Sequence, residues 1–349
     1  MDNIITYLRF RGDIPFKKQP FCEMDAMIMA ILVSVNLEGC VFNKTRLEDA
    51  YKAFEAVGKK DPLDEQMEAK CILFKLCAES VRFKDILLDN YVKDIDNEEE
   101  KTFYAITFYY GRHHAYVAFR GTDGSLISWK ENFNGLYQYP TPGQRDALKY
   151  LAALATKPFL KITVIGHSKG ANLAVFAAMG LDEKSRRKLT DIYCFDGPGY
   201  VEDISEKLSF LDIKDRIHAF IPTSSVVGRL FEAPYEKEVV KAGGNGFYQH
   251  DLFNWNVTPF NIVREPAVDL FSDSLSKKLN DWMLSIPIGE RKRVVDELFD
   301  TFKENGISHI TDIMHLDLHK IVTLVKCVRN LSSENRNLLL LILKQIAKH

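Results

Sequence analysis

No two of the six cysteines (Cys22, Cys40, Cys71, Cys77, Cys194, Cys327) form a Cys-x-x-Cys pair. That excludes the common zinc and dithiol motifs and predicts reduced core thiols in place of a disulfide framework. No Gly-x-Gly-x-x-Gly follows an apolar run, so hydride transfer on a bound dinucleotide is disfavoured and no cofactor is expected. Charge of one sign is also lacking. Lys and Arg number 46 against 48 Asp and Glu, a formal net charge of −2, so neither nucleic acid nor an anionic membrane would find an electrostatic driving force. The longest apolar run, Ala26 to Val35, is about half of a membrane span, and no transmembrane segment is predicted. The first dozen residues mix acidic and basic side chains without a small-residue cleavage site, so no signal peptide is expected and a cytoplasmic protein is. There is no internal repeat and no low-complexity stretch.

What is present is an ordinary globular mix, 46% hydrophobic and 27% charged over 349 residues, enough for one large domain with appendages or two modest ones. Its organising stretch runs from Ile162 to Ala178. A short apolar run ends in Gly166-His-Ser-Lys-Gly170, and Ala171, Ala174, Val175 and Ala178 follow at helical spacing. This reads as buried strand, sharp turn and helix, the nucleophile elbow. A serine lifted onto a strained turn needs neighbours without Cβ atoms, which Gly166 and Gly170 supply. Ser168 then stands at a helix N-terminus, where backbone N–H groups favour a developing oxyanion.

The rest of the chain arranges itself around that stretch. Residues 1–100 are expected to be a mainly helical flank that opens on an irregular arm. It continues through a helix from Met24, a helix opened by a Thr45/Glu48 capping box, and an amphipathic segment from Asp64 to Ser80. Asp25 is expected to cap the first of these helices, and Ser80 to Asn97 is expected to be a surface connection. After the charge run Glu98-Glu-Glu-Lys101, residues Thr102–Tyr110 and His114–Arg120 read as a hairpin. Gln144–Thr156 reads as a helix, and strands are expected at Ile192–Phe195 and Ile217–Ile221 with a helix around Val201–Leu208 between them. Alternating strands and helices with near-continuous apolar strands indicate a parallel sheet covered on both faces over residues 101–262. Right-handed crossovers place chemistry at the strands' carboxyl ends. A helical extension, 263–349, closes the chain, with helices at Ser272–Ser285, Glu290–Asn305, His315–Leu331 and Ser333–His349.

A serine hydroxyl needs a base, to be found among nine histidines. His167 adjoins the serine but is expected to point away. His113 and His114 fall in the hairpin, His218 inside a strand, and His309, His315, His319 and His349 in the C-terminal extension. His250 remains, on a Gly-led loop after the last predicted strand and downstream of the serine, as the order serine, acid, histidine requires. Oxyanion donors are expected from the Lys169 backbone N–H and from Gly121-Thr122 at an earlier strand end. The Lys169 side chain is expected to face solvent.

Phe119-Arg-Gly-Thr122 with Trp129-x-x-Asn132, the elbow, Phe195-Asp-Gly-Pro-Gly199 and Tyr248-Gln-His250 resemble the class 3 (fungal triacylglycerol) lipases over about residues 100–255. They resemble more closely an uncharacterised bacterial group with a lipase-like α/β-hydrolase fold, a resemblance that extends into the N-terminal helices. It implies an α/β-hydrolase fold, Ser168 as nucleophile, His250 as base and Thr122 as the hydroxyl-bearing oxyanion donor. Asn132 stands where those lipases carry an aspartate that orients this donor. One departure is plain. Where the lipases place the triad aspartate, in an Asp-x-Val-Pro setting after the third strand, this chain reads Ile221-Pro-Thr-Ser-Ser-Val-Val-Gly228. Asp196 is the nearest substitute, or else a turn residue bonding its own backbone. Asp251 and Ser225 are weaker candidates.

Two readings follow. One is a serine hydrolase acting on a small-molecule carboxylester or acyl-lipid, with thioesterase or acyltransferase chemistry open to the same parts. The other is a binding or scaffold protein on a decayed hydrolase core.

Overall fold

The computed structural model describes residues 2–58, 65–309 and 312. The expected helices His315–Leu331 and Ser333–His349, with their histidines and Cys327, lie outside the described residues. One eight-stranded sheet runs through the rest in sequential order, β1 to β8. β1 (Thr45–Arg46), β2 (Leu87–Asp96), β3 (Lys101–Tyr110) and β4 (His114–Phe119) are antiparallel neighbours. From β4 the sheet continues in parallel through β5 (Lys161–His167), β6 (Leu189–Phe195), β7 (Ile217–Pro222) and β8 (Lys237–Val240).

Sequential order has a geometric consequence. Right-handed crossovers that always step to the next strand deliver their helices to the same face each time, leaving the other face bare. Successive side chains along the strands separate accordingly, those two apart sharing a face. Ala105, Val117, Val164, Ile192 and Cys194 pack beneath α6 (Pro142–Ala155) and α7 (Lys169–Gly180). Ile106, Phe108, Ala118, Ile165, Phe195 and Phe220 pack against α1 (Ile4–Arg11), α2 (Glu23–Leu32), α3 (Leu47–Val57) and α4 (Glu65–Glu79). The N-terminal flank thus covers the sheet face that the crossovers cannot reach. With helices on both faces of a mostly parallel sheet and a serine elbow after β5, the architecture is an α/β-hydrolase fold.

Arg82 ties that flank together. Its guanidinium donates to both carboxylate oxygens of Asp25 (2.7 and 2.5 Å) and to the carbonyls of Ile14, Gln19 and Pro20 (2.9 to 3.2 Å). Both side chains are fully buried. Asp25 also accepts from the Cys22 N–H at 2.9 Å, the capping role expected of it.

Several expectations needed revision. Residues 87–96 are not a surface connection but strand β2, paired along β3. The alternation of charged with apolar side chains there belongs to a strand with one exposed face. The N-terminal arm contains α1, capped by Asn3, whose side chain accepts from the N–H groups of Ile5 and Thr6. Thr45 does not cap α3; its hydroxyl is engaged with the backbone of Phe42. Residues 126–134, for which no element is expected above, form helix α5 (Leu126–Asn134), capped by Ser125. Around 201–208 the only helix is the short α9 (Leu208–Leu211), which follows α8 (Glu183–Arg186) along the chain. The edge strand β8 was not anticipated. Helices α10 (Leu270–Ser285) and α11 (Ile288–Glu304) pack through Trp282, Leu298 and Phe299 onto Trp129, Phe133 and Leu136 of the α5 region. No helix among the described residues is long and apolar enough to cross a membrane.

Candidate active site

β5 ends at His167 and α7 begins at Lys169, so Ser168 makes the whole turn. Its backbone is held at φ 55°, ψ −128°, a conformation unfavourable for a residue with a Cβ and stable only when the surroundings enforce it. They do so through contact with backbone. A Cβ on Gly166 would lie 2.1 Å from the Gly170 carbonyl, and one on Gly170 would lie 2.1 Å from the Phe119 carbonyl oxygen. The Ser168 N–H donates to Phe195 O at 2.9 Å, which ties the turn to the end of β6. Ser168 is 7% exposed.

Asp196, next after β6, is the second residue in left-handed conformation at these strand ends (φ 44°). It does not bond its own backbone as a turn residue would. Its N–H donates to Phe220 O, and its carboxylate is directed into the site. Oδ1 accepts from the Ser225 hydroxyl (2.5 Å) and the Gly228 N–H (3.1 Å), while Oδ2 lies 2.6 Å from Nδ1 of His250. A carboxylate only accepts, so Nδ1 carries the proton, and in the neutral imidazole Nε2 is then the nitrogen with the lone pair. Asp196 is 1% exposed, so this bond lies in a region of low dielectric. The other carboxylate considered, Asp251, accepts from Gln66 (2.9 Å) and the Phe253 N–H (3.0 Å). Ser225 touches Asp196 and not the imidazole.

The His250 loop is fixed by a residue the sequence did not single out. Buried Gln249 accepts from the Ser224 N–H (2.7 Å), donates to the carbonyls of Ala242 (3.1 Å) and Gly244 (2.8 Å), and offers its own carbonyl to Trp255 Nε1 (2.8 Å). The His167 ring packs on that of His250 with centroids 4.6 Å apart, and its Nε2 donates to the His250 carbonyl at 2.9 Å. Burial, and then the neighbouring His250, push the His167 pKa well below 6.5. It is a neutral support for the loop. No hydrogen bond joins Ser168 Oγ to His250 Nε2, a contact that in such sites often forms only with substrate bound.

Beyond Gly121, where a Cβ would stand 3.1 Å from that of Ser168, Asn132 Nδ2 donates to Thr122 Oγ1 at 2.7 Å. That bond occupies an oxygen lone pair and leaves the threonine proton to be donated. The Lys169 N–H, at the first position of α7, has no carbonyl one turn behind it. The Lys169 side chain, expected to face solvent, is instead buried. Nζ pairs with Glu131 Oε2 at 2.6 Å and donates to Thr102 O and Oγ1, both at 2.7 Å. A lysine beside the serine gives no sign of this in sequence, because its partner lies 38 positions away on α5.

Three other histidines among the described residues have partners outside this cluster. His114 bonds Thr163 (3.2 Å), His218 bonds Asp191 (2.9 Å) and His309 donates to the Asp123 carbonyl (3.1 Å).

The Mbeg1-like family model matches residues 77–300, from the last turn of α4 into α11, a span that holds the elbow, Asp196 and His250. The chain belongs to the Mbeg1-like family. No curated protein matches it. Among solved structures, this Mbeg1-like chain is similar to M37 lipase at 15% identity, over 60% of this chain and 70% of the other, with a TM-score of 0.35. It is also similar to a deletion mutant of Rhizomucor miehei lipase in complex with propeptide, at 13% identity over 63% and 68% of the two chains, TM-score 0.35.

Proposed function

We propose that this protein is a serine hydrolase that cleaves a carboxylester or acyl-lipid through an acyl-enzyme. The contact between Asp196 and His250 carries the reading: a buried carboxylate 2.6 Å from Nδ1 supports the tautomer protonated at Nδ1, in which Nε2 is free to act as the base for Ser168. Ser168 Oγ attacks the ester carbonyl carbon while Nε2 takes the hydroxyl proton. The tetrahedral oxyanion accepts from the Lys169 N–H and the Thr122 hydroxyl. Collapse expels the alcohol, which leaves with the proton from Nε2, and Ser168 holds the acyl group. Water then attacks the acyl carbon, its proton passing to Nε2, and release of the acid returns that proton to Ser168. Asp196 stays ionised throughout and stabilises the imidazolium.

Hydrolysis of p-nitrophenyl acetate, butyrate and octanoate tests the proposal. Turnover by the wild type, lost in Ser168→Ala and His250→Ala, is the expected result. Turnover by Ser168→Ala equal to wild type overturns it.

A further inference from the structure

We propose that the buried Glu131–Lys169 pair is a positioning device for the oxyanion hole, holding its two donors, one from each side of the serine, in register. The inference rests on the hydrolase reading above and adds residues to which that reading gives no task.

Four elements meet at one carboxylate. Glu131, on α5, is 1% exposed. Its Oε2 accepts from Lys169 Nζ (2.6 Å) at the start of α7 and from the N–H (3.0 Å) and hydroxyl (3.2 Å) of Thr102 on β3. Its Oε1 accepts from the Gly143 N–H (3.1 Å) in the first turn of α6, where the helix dipole favours an anion. The approach is close enough that a Cβ on Gly143 would stand 2.4 Å from Oε1. Lys169 Nζ is saturated in turn by Thr102 and Glu131, so the charge is both paired and hydrogen-bonded in the interior.

The residues next to this pair give it meaning. Lys169 follows Ser168, and its backbone N–H is one proposed donor. Asn132 follows Glu131, and its amide holds Thr122, the other donor. The pair therefore clamps the helix that orients Thr122 to the helix that begins at the nucleophile. A sliding of α5 against α7 would separate the two N–H and O–H groups from a common oxygen, and oxyanion stabilisation depends on donors fixed in advance.

The test uses full-length protein, p-nitrophenyl butyrate and thermal unfolding. Glu131→Gln keeps the shape and removes the charge; it is expected to lower kcat by about ten- to a hundredfold, less than the ~10²–10³-fold loss of a whole donor, with KM changed less than threefold. In a Thr122→Val background the same change is expected to lower kcat less than threefold further, since the donor it positions is already absent. Because Glu131→Gln leaves a buried lysine without its counter-charge, the neutral double variant Glu131→Met/Lys169→Met is measured alongside. It is expected to recover the melting temperature but not kcat. If kcat recovers together with melting temperature, or if the Glu131→Gln and Thr122→Val losses multiply in full, the pair is only structural and the inference falls. Failure of the wild type to turn over the ester would instead overturn the hydrolase reading beneath it.

Discussion

Asp196 Oδ2 lies 2.6 Å from Nδ1 of His250 although 54 positions separate them in the chain. The contact joins the carboxyl end of β6 to the loop after β8, and Ser225, after β7, holds the second carboxylate oxygen. Asp196→Asn is expected to fold, because the amide oxygen still accepts from Ser225 and Gly228. It is expected to lower kcat by about 10³–10⁴-fold, since the amide nitrogen donates where the imidazole must donate and so selects the wrong tautomer. Circular dichroism and ester kinetics on the same sample check both halves.

Thr122 offers its hydroxyl because Asn132 occupies the oxygen. Thr122→Val is expected to cost about 10²-fold in kcat with KM nearly unchanged, and Thr122→Ser to restore most of it. A Thr122→Val variant with wild-type kcat would remove this residue from the site.

The two elbow glycines are steric requirements. Gly170→Ala places a methyl group 2.1 Å from the Phe119 carbonyl oxygen, which is backbone in a central strand and cannot yield. The variant is expected to accumulate as insoluble protein, read out as the soluble fraction against wild type.

These contacts differ in how far the sequence foretold them. The elbow, the β3–β4 hairpin, β5 to β7 and the face-covering helices other than α1 are legible because glycine spacing and apolar periodicity are local signals. The sequence leaves Asp196 open between acid and turn residue, since only β6 and β7 lying side by side bring Ser225 and Gly228 to its Oδ1. β2 was missed because its exposed, charged face reads like a surface connection, and α5 because Trp129 and its neighbours pack on α11 rather than on the sheet. Glu131 and Gln249 carry no local signature. Each is defined by partners distant in the chain, so nothing in the adjoining sequence marks them.

His167 gives the fold an acid sensitivity. Its native pKa is held well below 6.5 by burial and by His250, so below about pH 6.5 the unfolded chain takes up a proton that the native state refuses. This contribution to stability is therefore complete above pH 6.5 and is lost as pH falls below it, by at most about 1.4 kcal/mol per pH unit. Urea unfolding at pH 7.5 and 5.0 is expected to show the loss, and His167→Asn to show a smaller one.

Arg82 and Asp25 form an ion pair with no exposed side-chain surface. Arg82→Ala is expected to destabilise the protein by about 3–5 kcal/mol, because it strands a buried carboxylate along with three carbonyls. Arg82→Met with Asp25→Leu, which removes both charges, is expected to cost less. Denaturant midpoints for the two variants decide it.

The proposal centres on one alcohol, Ser168, made reactive by the imidazole of His250, and a fluorophosphonate probe followed by peptide mass spectrometry measures that directly. The account predicts a single adduct on Ser168, absent in Ser168→Ala and formed far more slowly in His250→Ala. A folded wild type that takes up no probe at any pH, or an adduct that forms at Ser168 equally fast without His250, would contradict it.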